Sequence, residues 1–242
     1  MPSLAQQKSE AIRLNQIGFY PDGPKMAIVV DSAAEQFYIV TPDAQDTVFT
    51  GTLSSPRTWQ PSAESVRQAD FSDLRLTGRF LLLVPDLGVS APFDVKPRVL
   101  QEVARATIKG YYFQRMSIDL TKEFAGKWSR PMGHPDNEVL VHASAATQER
   151  PEGTVLSCPR GWYDAGDYNK YIVNSGISVY TLLALYEHFP DYSRALETHI
   201  PESGDAIPDV LDESLWNIRW MLTMQDPHDG GVYHKCTHAN FS

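Results

Sequence analysis

Short apolar runs separated by turn residues fill the chain from Ala11 to about Lys96, and longer apolar stripes at helical spacing follow. In the first region, residues 27–30, 36–40, 48–52, 73–76, 79–84 and 93–95 read as strands. Breaks fall at Pro21-Asp22-Gly23-Pro24, Thr41-Pro42-Asp43 and Thr77-Gly78, and Gly78 between two strand patterns reads as a tight hairpin. Short strands at this spacing predict a small β-sandwich over residues 11–97, preceded by a flexible N-terminus at 1–10.

The pattern changes at Lys96-Pro97. Val99, Val103, Ala106, Ile108 and Tyr112 recur every three or four residues, which predicts a helix over 98–117 with Pro97 at its start. Residues 174–189 are apolar on nearly every side (Ile177, Val179, Tyr180, Leu182, Leu183, Leu185, Tyr186, Phe189) and stop at Pro190. Such a segment predicts a helix buried all round. A third helix is expected from Asp209, as cap, through Met224, with Asp212 at the capping-box position. Residues 119–173 read as irregular, and a loop of that length inside a compact domain is usually functional.

Composition narrows the classes. With 42% hydrophobic residues among 242, the chain can bury a core of one large or two ordinary domains. Its net charge of −9 repels phosphate backbones, which argues against a nucleic-acid partner. No apolar run approaches about 18 residues, so no membrane partner is expected. Met1 to Lys8 is polar and lacks the apolar core of a secretory signal, which reads as a cytoplasmic chain or an exported one whose leader has been removed. Cys158 and Cys236 are too few for a disulfide scaffold, although one bridge between them is compatible with the sequence.

The candidate chemistry lies in Gly161-Trp162-Tyr163-Asp164-Ala165-Gly166-Asp167-Tyr168-Asn169-Lys170-Tyr171. Asp164 and Asp167 stand three apart, with small residues between them and aromatic rings around them. Carboxylates handle the hydroxyls and protons of a sugar while aromatic faces cover its apolar faces. Taken by itself, Asp-x-x-Asp is more often a cap or a turn.

The wider context favours the sugar. Residues 162–171 resemble the catalytic segment of family-nine glycoside hydrolases, the family of many cellulases. Ile207-Pro208-Asp209-Val210-Leu211-Asp212-Glu213, the run from Trp220 to Pro227, and Gly230-Gly231-Val232-Tyr233-His234-Lys235 are similar to further family stretches. Ile12 to Phe19, with Lys25-Met26-Ala27, resembles the immunoglobulin-like domain that precedes the catalytic domain in one branch.

The resemblance implies an immunoglobulin-like β-sandwich followed by the first part of an all-α (α/α)6 barrel in residues 98–242. Six helical hairpins need at least roughly 190 residues, at about 11 per helix and about 5 per connection. Three expected helices and the unterminated end Ala239-Asn240-Phe241-Ser242 therefore suggest the front part of a longer enzyme.

The implied activity is inverting hydrolysis of β-1,4-linked glucan, with Asp167 as the base and Asp164 holding the same water. The general acid is a glutamate near the end of the family's barrel. No surroundings like it occur here, and nothing promotes Glu187, Glu197, Glu202 or Glu213. Trp128 and Tyr168 are expected to be sugar platforms, His234 and Lys235 to contact substrate, and Trp216 and Trp220 to be core.

No cofactor is expected. Relatives that bind zinc do so through cysteines and histidines before the catalytic loop, where this chain offers only His134, His142 and a distant Cys158. A structural calcium held by loop carbonyls stays compatible. Tyr168 stands where many endo-acting members carry His, as in the branch that includes exo-acting and glucosamine-preferring enzymes. Two alternatives therefore remain, an exo-acting hydrolase of glucosamine-containing oligosaccharides and a non-catalytic carbohydrate-binding protein. The aspartates are expected at the floor of an open groove lined by Trp128 or Tyr168.

Overall fold

The structure is a computed structural model that describes residues 7–238. The chain divides into two compact units that meet in sequence at Glu102 and Val103.

The first unit holds nine strands: β1 (Ile12–Leu14), β2 (Met26–Val30), β3 (Gln36–Val40), β4 (Thr47–Thr52), β5 (Arg57–Trp59), β6 (Glu64–Asp70), β7 (Gly78–Val84), β8 (Gly88–Val89) and β9 (Phe93–Val95). One sheet runs β1-β2-β6-β5 and the other β4-β3-β7-β8, with β9 also pairing β7. All of these named-strand pairings are antiparallel. Alternation along the strands sends Ala27, Val29, Phe37, Ile39, Ala69, Phe80, Leu82 and Val84 inward, and they form one core. Phe19, Phe71 and Phe93 meet in it, with Phe19 edge-on to both partners at 5.2 and 5.6 Å. Lys25 is fully buried, and its ammonium donates to the carbonyls of Tyr20, Pro21 and Gly23, closing the turn that precedes β2.

Several strand expectations need correction. Residues 73–76 form no strand, because a turn bond from the Leu74 amide to the Phe71 carbonyl bends the chain there. Gly78 makes no hairpin. It is the first residue of β7 and pairs with Val95. The sequence reading also missed the short strands β1, β5 and β8 and the longer β6, whose seven residues bury only Ala69 and so show little alternation. Of residues 1–10, the first six lie outside the described residues. Lys8 forms a parallel bridge to Val89, and the Ser9 amide donates to the Val89 carbonyl.

The second unit is built on α1 (Gln101–Phe113), α2 (Lys122–Ala125), α3 (Ile172–His188), α4 (Pro190–Ala195) and α5 (Asp209–Thr223). Two-residue strands, β10 (Val139–Leu140) with β11 (Val155–Leu156) and β12 (Lys170–Tyr171) with β13 (Lys235–Cys236), pin its loops. Its core joins Ile108 of α1, Trp162, Val179 and Leu182 of α3, and Val210 and Trp216 of α5.

Here too the pattern misled in places. Arg98 takes a left-handed conformation in a turn over 97–100, so α1 starts at Gln101 and not at Pro97. Asp209 does not cap α5, because Pro208 stands at the cap and Asp209 is already helical. Its carboxylate instead accepts from the Thr198 amide and hydroxyl and from the Ser203 hydroxyl, tying the preceding loop to the helix. The greatest departure is α3. It buries one stripe, Ser175, Val179 and Leu182, while Val173, Ile177 and Tyr180 are about two-thirds exposed.

Candidate active site

The segment around the two aspartates is clamped before it reaches them. Gly161 accepts at its carbonyl from the Met116 amide and from the Trp216 indole, both at 3.0 Å. The Tyr163 amide donates to the Gln114 carbonyl, so the stretch runs along the end of α1. Gly161 has φ +84°, and a Cβ there would lie 2.9 Å from the Lys170 side chain and 3.0 Å from the Trp220 ring. Only glycine suits both the angle and the space.

Beneath this segment Arg115 is fully buried. It meets Glu213, also fully buried, at 3.0 Å and Glu202 at 2.9 Å, with its guanidinium 4.5 Å from the Trp216 ring centroid. Burial pushes the Glu213 carboxyl up to about 7 against the pull of Arg115. Both glutamates are thereby occupied by the arginine.

The loop closes through the Asp164 amide, which donates to the Asn169 carbonyl at 3.2 Å. Asp164 is exposed, and one of its oxygens accepts from Asn174 in the first turn of α3 at 2.9 Å. Asp167 is half-buried. Its Oδ2 accepts from the Asn169 amide at 2.8 Å and from the Tyr171 hydroxyl at 3.4 Å. Its Oδ1 is buried with no hydrogen-bond partner among the described residues. Desolvation, followed by the charge of Asp167, raises the Tyr171 hydroxyl, which keeps it a donor.

Directly after the loop, Lys170 is almost completely buried. Its ammonium pairs with Asp136 at 2.7 Å and donates to the Cys158 and Arg160 carbonyls at 2.8 and 2.9 Å. Lys170 thus fastens the long irregular stretch to the end of the aspartate loop.

The aromatic candidates separate. Tyr168, 55% exposed, stacks on His134 at 4.2 Å between centroids and meets Tyr163 edge-on. His134 Nδ1 lies 2.9 Å from the Tyr163 hydroxyl. Tyr168, His134, His234 and Lys235 line one cavity of about 770 Å³, a size that suits a small ligand. Trp128 lines a different hollow of about 360 Å³ with Phe113, Leu120 and Arg130. Neither aspartate is among the residues lining these two spaces. β13 brings His234 and Lys235 beside the loop: the Ile172 amide donates to the His234 carbonyl, and the Lys235 ammonium lies 5.9 Å from the Tyr171 centroid. Trp216 and Trp220 are core.

Cys158 and Cys236 are free thiols in one apolar cluster with Trp220 and Met224. Among the described residues no three His, Cys, Asp or Glu converge on a point that could hold a metal ion, and His142 bonds to Ser144. No helix is long and apolar enough to cross a membrane among these residues. Sequence reasoning missed Asn169, Tyr171, Lys170 and Arg115 as site-shaping residues. A buried lysine or arginine leaves no periodic signal, and only its partners distant in sequence disclose it.

The chain belongs to glycosyl hydrolase family 9. The model of that family matches residues 101–241, and that of the cellulase N-terminal immunoglobulin-like domain matches residues 7–89. Among its relatives, a xyloglucan-specific endo-β-1,4-glucanase of Bacteroides ovatus is 44% identical over 98% of this chain and 40% of its own length. Endoglucanase D of Acetivibrio thermocellus is 35% identical over 97% of this chain and 36% of its own length. A solved Bacteroides ovatus family 9 structure superposes with TM-score 0.86 at 44% identity, covering 93% of this chain and 41% of its own. A metagenome-derived family 9 endoglucanase gives 0.80 at 32% identity, covering 93% and 42%. The chain thus spans about 40% of the length of the relatives it matches.

Proposed function

We propose that this protein acts as an inverting endo-β-1,4-glucanase on cellulose-type or xyloglucan backbones. Residues 98–242 would form the front part of an (α/α)6 barrel behind an immunoglobulin-like domain at 11–97. The observation that carries the reading is the Asp164–Asn169 loop. It holds two carboxylates at the start of α3, each with one oxygen fixed by an asparagine amide. The relatives named above are glucanases, which supports glucan over a glucosamine-containing chain.

In this reading Asp167 takes a proton from a water whose oxygen attacks the anomeric carbon, while Asp164 orients that water. The glycosidic bond breaks on the opposite face, and the leaving oxygen takes its proton from a glutamate. Glu202 and Glu213 are held by Arg115, so we place that acid on the part of the family 9 domain that this chain does not span. The rest of that domain would also complete a groove over the aspartates. Tyr168 and Trp128 would serve as separate sugar platforms, and His234 and Lys235 would meet substrate hydroxyls at the rim. Proton transfer between carboxylates and water completes the reaction, which needs no cofactor.

The test is Asp167→Asn in the full reading frame, with reducing ends measured on β-glucan and xyloglucan. Hydrolysis should fall by about 10²-fold or more while glucan binding persists. Turnover near that of the unmodified enzyme would remove Asp167 as the base.

A further inference from the structure

We infer that Asn169 is the positioning residue for the proposed base Asp167, whose carboxylate its side-chain amide holds while its carbonyl closes the loop at the Asp164 backbone. This inference rests on the assignment of Asp167 as the base. The Asn169 carbonyl accepts from the Asp164 amide at 3.2 Å and fixes where the loop begins. Its Nδ2 donates to Asp167 Oδ2 at 2.8 Å and fixes the plane of the second carboxylate. The amide must face Asp167 with its nitrogen, because two acceptors hold no proton between them.

Asn169 is suited to this role by its burial. It is 1% exposed, and the next residue is the buried Lys170, tied to Asp136, Cys158 and Arg160. A side chain anchored in this way loses little freedom when it holds a carboxylate, so the geometry exists before substrate arrives. Its amide carries no charge and cannot titrate, so it supplies a donor to the carboxylate at every pH. With Oδ2 held by Asn169 and Tyr171, the orientation of the Asp167 carboxylate is set by the protein itself.

The experiment compares Asn169→Ala, Asn169→Asp and Asp167→Asn in the full reading frame, reading kcat, KM and the pH profile on a soluble β-glucan. Asn169→Ala should lower kcat by about 10-fold to 100-fold, the value of one hydrogen bond to a charged group, with KM within about 2-fold. Asn169→Asp has nearly the same shape and keeps the carbonyl bond to Asp164. It sets two carboxylates face to face at hydrogen-bonding distance, where they can bond only by sharing a proton. Its activity should therefore be low at neutral pH and recover toward that of the unmodified enzyme as the pH falls, moving the optimum to the acid side. A residue that merely filled space would leave the profile of this near-isosteric variant in place.

An Asn169→Asp enzyme with unmoved pH profile and unmodified turnover overturns the inference, as does a loss confined to KM. If Asp167→Asn is inactive while Asn169→Asp is unaffected, the inference fails and the base assignment stands. If Asp167→Asn keeps its activity, the base assignment itself fails. Should Asn169→Ala not fold, Asn169→Asp still decides the matter, since it changes charge at nearly constant volume.

Discussion

Replacing Lys170 by Met removes one ammonium and leaves its stem, which makes it a clean probe of what holds the aspartate loop. Lys170 is 1% exposed at its side chain, and its partner Asp136 is 19% exposed. The ammonium makes three contacts, at 2.7 Å to Asp136, 2.8 Å to the Cys158 carbonyl and 2.9 Å to the Arg160 carbonyl. Breaking a buried pair by removing one member costs about 3–5 kcal/mol, because the remaining charge is left uncompensated. Each orphaned carbonyl would add about 1–3 kcal/mol if no water reached it. The partial exposure of Asp136 admits water and offsets part of this, so about 3–5 kcal/mol in total is the expected loss. At about 2–4 °C per kcal/mol for a protein of this size, the transition should fall by about 10 °C.

Denaturant unfolding followed by tryptophan emission measures this, since Trp128, Trp162, Trp216 and Trp220 all lie in the second unit and only Trp59 in the first. Trp220 is a close reporter, 5.2 Å from the Lys170 ammonium. Adding Asp136→Leu removes the stranded carboxylate, so the double variant should recover about 2 kcal/mol relative to the sum of the singles. A loss under about 1 kcal/mol for Lys170→Met, or strictly additive costs in the double variant, would refute the reasoning.

Two further outcomes follow from the same packing. Gly161→Ala forces a side chain into a left-handed conformation against the Trp220 ring and should cost about 2–4 kcal/mol in the same unfolding assay; a cost below about 1 kcal/mol would show that the segment shifts freely. Burial, reinforced by Asp136, pushes the Cys236 thiol up to about 12, so at pH 8 it is protonated in the folded protein. Cys236 is only partly exposed, so iodoacetamide should label it well below the rate of a free exposed thiol, and labelling at that full rate would contradict the raised value.

Much of this protein was legible along one dimension. Strands made of short apolar runs, such as β3 and β7, and helices with strong apolar spacing, such as α5, declare themselves because the local sequence alone marks them. The motif around Asp164 and Asp167 stood out for a different reason: its residues resemble a segment of the family to which the chain belongs, a likeness of residue identity that owes nothing to periodicity. Tertiary structure decided the rest. β6 is a strand because β2 and β5 flank it, and its own sequence buries a single side chain. α3 reads as buried all round, yet only the Ser175–Val179–Leu182 stripe is fully buried, since burial belongs to what packs against a helix and not to the helix. Asp209, a cap by sequence, became a tie to Thr198 and Ser203 once Pro208 took the helix start. Arg115 with Glu213, and Lys170 with Asp136, are pairs 98 and 34 residues apart in sequence. Such partners are joined only by the folded chain, and a charge is stable in the interior only when its counter-charge arrives from elsewhere in the fold.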